Sequence, residues 1–459
     1  MTGRWRAGMV VGLVALVAAS IAPANAVAVD NNGEGRLVNV VRALPGDEGL
    51  SADGSVAGAL KADPADRDKK VRADQLATTA PPDREAAVTD ADEAHALAVK
   101  SGAEYGTASE ELAAGEVSTL QEDDITPEEC RENSDLSWRA EGWIKNHFSY
   151  CQITVLTAEQ FRCWTIFCVP AGAFSGRITH MGYAYDGLRD VDWKVYVDEI
   201  SSWGTSDAGS LKIEADCAGS TSDACVSGGF DQVTKLVPQW EADSEGSLLF
   251  HSWADPADAS RGEQVKTGTF SFEYDFRADG GNKSADGPVT SVRFDSAWYL
   301  PKKEGSIFDR VTPWLSYSTK DSEVNESAWH IRDAQDHPES TYPRVDGKRV
   351  PGASAADPLR RLYHDTARRD ANRERFAVPV CQARWPGYPE LSQDCDEYPF
   401  SATYEGAARH LYQPGVPYGQ FSVRPVLFSD NQEAGSRLGA WYGRDRILDG
   451  DRFYVRIVD

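Results

Sequence analysis

Between residues 130 and 334 apolar and polar positions alternate in short runs. Cys151 to Leu156, Trp193 to Ile200, Ser210 to Ala215, Thr267 to Phe276 and Val289 to Leu300 all repeat with a period of two. That period sends every second side chain to one face, as in a strand with one buried side. Turn-rich spacers such as Ala278-Asp279-Gly280-Gly281-Asn282 separate the runs. Together they predict a central all-β, sandwich-like domain. Residues 335–358, rich in Pro, Gly and Asp, are expected to be a linker. From Pro358 to Arg375 the spacing of Leu359, Leu362, Tyr363 and Thr366 predicts a helix, with six arginines on its other faces. Phe421 to Phe428 then alternates as a strand. Ser429 and Gln432 are spaced as a capping box, and Ala434, Leu438, Trp441 and Tyr442 form a helical apolar face. Phe453, Val455 and Ile457 predict a closing strand.

The N-terminal third differs. Arg4 and Arg6 precede an apolar run, Val10 to Ala22, and an A-x-A site at Ala24-Asn25-Ala26. This reads as a secretory signal peptide over 1–26, with an extracellular mature chain from Val27. Residues 27–125 carry one aromatic, Tyr105, and are rich in Ala, Asp and Glu. Such a stretch buries too little apolar area to offset chain entropy, so an acidic low-complexity spacer or propeptide is expected, with a helix conceivable over Ala86 to Lys100. Export permits disulfides, and the eight cysteines form no C-x-x-C zinc pattern. Local pairing predicts Cys130–Cys151, Cys163–Cys168, Cys217–Cys225 and Cys381–Cys395.

Charge and composition then narrow the partners. The net charge of -25 argues against nucleic-acid binding by bulk electrostatics. It is unevenly spread, however. Residues 27–129 hold 23 acids and 9 bases, whereas residues 344–459 hold 16 acids and 17 bases. A polyanionic substrate is therefore compatible with the tail. Ten of the thirteen tryptophans lie in residues 130–343, either as core packing or as a platform for a cell-surface or polysaccharide ligand.

The densest chemistry is in the tail. Asp394-Cys395-Asp396-Glu397-Tyr398-Pro399-Phe400 is followed by Glu405-Gly406 and then by Asp430-Asn431-Gln432-Glu433-Ala434-Gly435-Ser436. Asp394, Asp396, Glu397, Glu405, Asp430 and Asn431 are hard oxygen donors, of the type that holds Mg²⁺ or Mn²⁺. Read as plain structure, Asp430 is a helix cap, Asn431 and Glu405-Gly406 are turn residues, Glu397 pairs with an arginine, and His410 packs at the surface.

These three blocks, in this order, resemble the secreted NucA/NucB deoxyribonuclease family, with its D-x-D-E-[WY]-P, E-G and D-N-x-x-[AG]-G motifs. The likeness covers roughly residues 360–459. It implies a small α+β, ββα-metal-like nuclease domain, so that the whole chain is multidomain and β-rich. It also implies that Asp396, with Asp394 beside it, acts as the base in place of the histidine usual in the wider superfamily. Glu405 and Asn431 would hold one divalent ion, with Asp430 as a further ligand or a cap. Arg409 and Arg437 would grip the phosphate of a DNA substrate, and the Cys381–Cys395 bridge would brace the site. A monomer is expected. Two other readings use the same residues: a glycoside hydrolase working through paired carboxylates, and a non-enzymatic surface-binding protein with a Ca²⁺-stabilised tail.

Overall fold

The computed structural model describes residues 36–45, 71–72, 124–164, 167–279 and 281–459. The expected signal peptide, the Ala86 to Lys100 helix and most of the acidic spacer lie outside these residues.

The period-two runs form two facing sheets. The first carries β1 (Arg36–Pro45), β2 (Val71–Arg72), β3 (Trp143–Asn146), β4 (Ser149–Cys163), β5 (Phe167–Ala184) and β6 (Asp190–Gly204). The second begins with β7 (Ser210–Gly219) and β8 (Gln232–Leu236), and β9 (Glu245–His251) returns to the first. β10 (Gln264–Ala278), β11 (Gly281–Ser296) and β12 (Glu304–Ile307) complete the second. Strand order is β1-β4-β5-β6-β9 in one sheet and β12-β11-β10-β7-β8 in the other. Alternation is strict where the sheets face each other. Trp193, Val195 and Val197 of β6 point inward, as do Leu211, Ile213 and Ala215 of β7 and Phe270, Phe272, Tyr274 and Phe276 of β10. The tryptophans divide accordingly. Trp143, Trp193, Trp203, Trp240 and Trp314 are buried, whereas Trp253 is 61% exposed.

One expectation is overturned at the N-terminal end. Residues 36–45, read as spacer, pair antiparallel with β4 along ten positions, from Arg36 opposite Cys163 to Pro45 opposite Thr154. The segment Leu37-Val38-Asn39-Val40-Val41 has the β-branched character of an edge strand, which averaging over a hundred polar residues concealed.

The second core belongs to the C-terminal domain. β13 (Trp314–Ser318) runs parallel to β17 (Arg452–Val458), whose other edge pairs with β14 (Leu359–Arg360). Against this sheet pack a helix over Asn325–Asp336 and the long C-terminal helix, Phe428–Arg444. Leu315, Tyr317, Ala328, Ile331, Val350, Leu359, Tyr398, Leu438, Trp441 and Val455 share one apolar cluster. The stretch 335–358, read as a linker, thus contributes Val350 to this core. Residues 314–334, assigned from sequence to the β domain, pack here as well. The helix expected from Pro358 starts later. Leu359 and Arg360 are in β14, and helix runs from Thr366 through a π-helical stretch, Ala371–Ala377, to Arg384. Asp365 caps it by accepting from the Arg368 amide at 2.9 Å.

Charges join the two cores. Arg446 is fully buried and donates to Asp295 of β11 and, at 2.5 Å, to Asp186. Arg293 of β11 reaches back to Asp451 at 2.6 Å and to the Arg446 carbonyl at 2.6 Å. Gly305 has no side chain because the Arg446 guanidinium fills that space; a Cβ there would lie 2.3 Å from Nε. Removing one member of such a cluster strands the others without counter-charge. Arg446→Leu is therefore expected to cost about 3–5 kcal/mol of unfolding free energy. Urea unfolding of the purified protein measures this, and an unchanged midpoint would refute it.

Candidate functional site

β15 (Gln393–Tyr398) carries the acidic motif and pairs antiparallel with β16 (Ser422–Leu427). Alternation along β15 sends Asp394, Asp396 and Tyr398 to one face and Cys395 and Glu397 to the other. Across the ladder these meet Val426, Arg424 and Ser422 on the first face, and Pro425 and Val423 on the second. The Asn325–Asp336 helix and the C-terminal helix lie near the first face. The Cys381–Cys395 disulfide ties the second face to the Val378–Arg384 helix, with Cα atoms 6.0 Å apart. The other three local pairs, Cys130–Cys151, Cys163–Cys168 and Cys217–Cys225, are also formed.

Asp396 is buried and accepts from Nδ1 of His330 at 2.8 Å. Nε2 of the same ring lies 2.7 Å from the Ser422 hydroxyl. With Asp396 ionised, the network assigns the proton to Nδ1, and Ser422 donates to Nε2. His330 is fully buried. It lies outside the segment that the sequence motifs marked. Its one sequence signal is a histidine on the apolar face that Ser327, Ala328, Ile331 and Ala334 define. Asp333, farther along this helix, pairs with Arg424, which stands across the ladder from Asp396.

Asp394 is where Asn431 arrives. Asn431 Nδ2 donates to Asp394 Oδ2 at 3.0 Å, and Arg373 Nη2 donates to the same carboxylate at 3.2 Å. Arg373 also stands 3.5 Å from Glu397 Oε2, an atom that has no hydrogen bond. Burial pushes the Glu397 carboxyl up to about 7. The Arg373 charge opposes this, nearby Asp396 adds to it, Ser401 opposes it through a hydrogen bond, and Asp394 adds a smaller push.

The remaining expected residues are engaged elsewhere. Glu405 is buried, and both its oxygens accept from Arg360, one from the amide at 2.7 Å and one from Nε at 3.0 Å. Asp430 does not cap its own helix; it accepts from the Glu326 amide at 3.1 Å, at the start of the His330 helix. Glu326 in turn accepts from the Leu427 amide at 2.6 Å, so the two helix starts cap each other. The expected Ser429–Gln432 capping box is absent, for the helix begins two residues earlier, at Phe428 rather than Asp430, and Ser429 instead bonds Asp430. Arg437 is held by Asp321, Glu323 and Glu433, and Arg409 by Gln413. His410 packs edge-on against Phe376 and Tyr418. Among the described residues, Arg373 is the arginine that pairs with Asp394 and Glu397.

Glu405, Asp430 and Asn431, expected to hold the ion, thus bond to three different partners, Arg360, Glu326 and Asp394. Among the described residues no three His, Cys, Asp or Glu side chains gather in a metal-holding group. The hard donors that do stand side by side are Asp394 and Asn431. Asn431 meets Asp394 through its amide nitrogen, which leaves Oδ1 as the oxygen it could offer to Mg²⁺, an ion that takes one or two protein ligands and keeps water for the rest of its shell.

Residues 354–456, the segment that contains the three motif blocks, match the family described as deoxyribonuclease NucA/NucB. No curated protein matches the chain.

Glu397 supplies a test of the site's electrostatics. Its folded-state value of about 7 lies above the 4.5 of an ordinary glutamate. Folding thus favours the protonated form. The resulting stability is complete below pH 4.5 and is lost as pH rises through 7. Glu397→Gln should remove that loss, gaining on the order of 3 kcal/mol relative to the parent between pH 5 and 8. Melting curves of both proteins across this range test it; parallel pH profiles would refute it.

Proposed function

We propose that this chain, whose C-terminal domain belongs to the deoxyribonuclease NucA/NucB family, is a secreted, divalent-metal-dependent endonuclease that hydrolyses DNA phosphodiesters with little sequence preference. The observation that carries the reading is the buried Asp396 carboxylate, held by His330 on the face of β15 where Asp394 and Asn431 meet.

Asp396 acts as general base. Its carboxylate takes a proton from the attacking water, and the Nδ1–H of His330 fixes which oxygen faces that water. His330 is itself oriented by Ser422, so the base is held through two successive hydrogen bonds. Arg373 is the guanidinium best placed to receive the scissile phosphate, in place of Arg409 and Arg437. A protonated Glu397 lowers the negative charge of the cluster and with it the repulsion of an incoming polyanion. A divalent ion held by Asp394 and Asn431 would neutralise the phosphate and the departing oxygen. Phosphate-directed chemistry of this kind reads no base edge, in keeping with low sequence preference. Four disulfides fit an oxidising compartment outside the cell.

Plasmid DNA incubated with the mature protein and Mg²⁺ or Mn²⁺ should be nicked and then degraded, and EDTA should stop it. Asp396→Ala should abolish cutting while the melting temperature stays measurable. His330→Ala should lower kcat about 10- to 100-fold with KM little changed, by analogy with other residues that orient a reacting group. An intact plasmid with both metals removes the proposal; a fully active Asp396→Ala variant removes the assigned base.

A further inference from the structure

A groove of about 490 Å³ opens beside the π-helical stretch, in the size range of small-ligand clefts. Its walls combine rings and guanidinium groups: Tyr342, Phe376 and Tyr418 with Arg344, Arg375 and Arg384. Arg384 and Arg344 lie over the Tyr342 ring at 4.9 and 5.1 Å, and Arg375 lies over Phe376 at 5.3 Å. All three arginines are exposed, and none is in an ion pair among the described residues. Elsewhere in this domain Arg332, Arg373, Arg424 and Arg437 are each matched by a carboxylate. Tyr418 is 44% exposed. Cations without ion pairs, layered on Tyr342 and Phe376 with Tyr418 open beside them, complement a ligand that has both anionic groups and flat faces.

The groove is also joined to the acidic cluster. Phe376 and Arg373 stand less than one turn apart on the π-helical stretch. On the other wall the Tyr342 carbonyl accepts from the Val423 amide at 2.7 Å, and Val423 adjoins Ser422 of the His330 chain. The helix that lines the groove thus also carries Arg373, whose guanidinium meets Asp394.

We propose that this groove binds single-stranded polynucleotide, its bases stacking on the exposed Tyr418 ring and on the ring-backed guanidinium planes, and its phosphates meeting the N–H edges of Arg344, Arg375 and Arg384. The inference rests on the deoxyribonuclease reading and adds a substrate preference to it. Bases in a duplex are stacked on one another and cannot offer their faces to Tyr418 or to the guanidinium planes, whereas unpaired bases can. The domain would then hold a frayed or single strand more tightly than intact duplex.

The test uses the full mature protein in EDTA. Fluorescence anisotropy follows a labelled oligothymidylate of about twelve nucleotides, a length within the usual site range of single-strand binders. A labelled hairpin duplex serves as the comparison. The oligothymidylate should bind more tightly than the hairpin. Tyr418→Ala and Arg384→Ala should each weaken it about tenfold, the scale of one lost base–aromatic stack. In Mg²⁺ or Mn²⁺ the same variants should raise KM for single-stranded cleavage and leave kcat and plasmid nicking unchanged. Arg375→Glu, at an exposed position, replaces Tyr418→Ala if the latter melts early. Wild-type-like binding by the groove variants, or an equal loss on hairpin and oligothymidylate, overturns the groove. A protein that cuts plasmid while its groove variants bind normally loses the groove alone. One that binds oligothymidylate through the groove but cuts no DNA loses the nuclease reading alone.

Discussion

The C-terminal domain is arranged around one buried hydrogen-bond chain, Asp396–His330–Ser422. A carboxylate placed among apolar side chains is costly unless its charge is met. Here an imidazole meets it, and that imidazole is satisfied on its far side by a hydroxyl. The chain ties three elements together: the acidic strand, its ladder partner and a helix about a hundred residues from the latter in sequence.

Around that chain the structure separates charges by neighbour. Three adjacent carboxylates on β15 have three environments. Asp394 is half-open and faces Asn431 and Arg373. Asp396 is enclosed with His330. Glu397 turns to the opposite face, where burial outweighs the pull of Arg373 and favours its neutral form. The pleat alone sorts Asp396 from Glu397, because neighbouring residues of a strand point opposite ways. The disulfide to Cys395 anchors the same strand from below, between the two acids it flanks.

The β domain is more than an attached module. Its strand β11 supplies Asp295 and Arg293, which enclose Arg446 at the end of the C-terminal helix. The same helix begins beside the site, with Asn431 on Asp394. One rigid element thus spans from interdomain charge cluster to acidic cluster, and each end is held by side chains from other elements.

What the sequence determined by itself was local. Alternation marked the strands, and four disulfides between near neighbours followed from spacing. Motif order pointed to the family whose model matches residues 354–456. Each of these depends on residues close along the chain, where period and spacing act directly. Only the tertiary structure decided which carboxylates share a site. Glu405 and Asp430 carry the right chemistry, yet Arg360 and the start of the His330 helix take them up. His330 and Arg373 enter from helices distant in sequence, and residues 314–350 join a core that composition had assigned elsewhere. Partner choice among many possible donors depends on how helices and strands dock, and no local period encodes it.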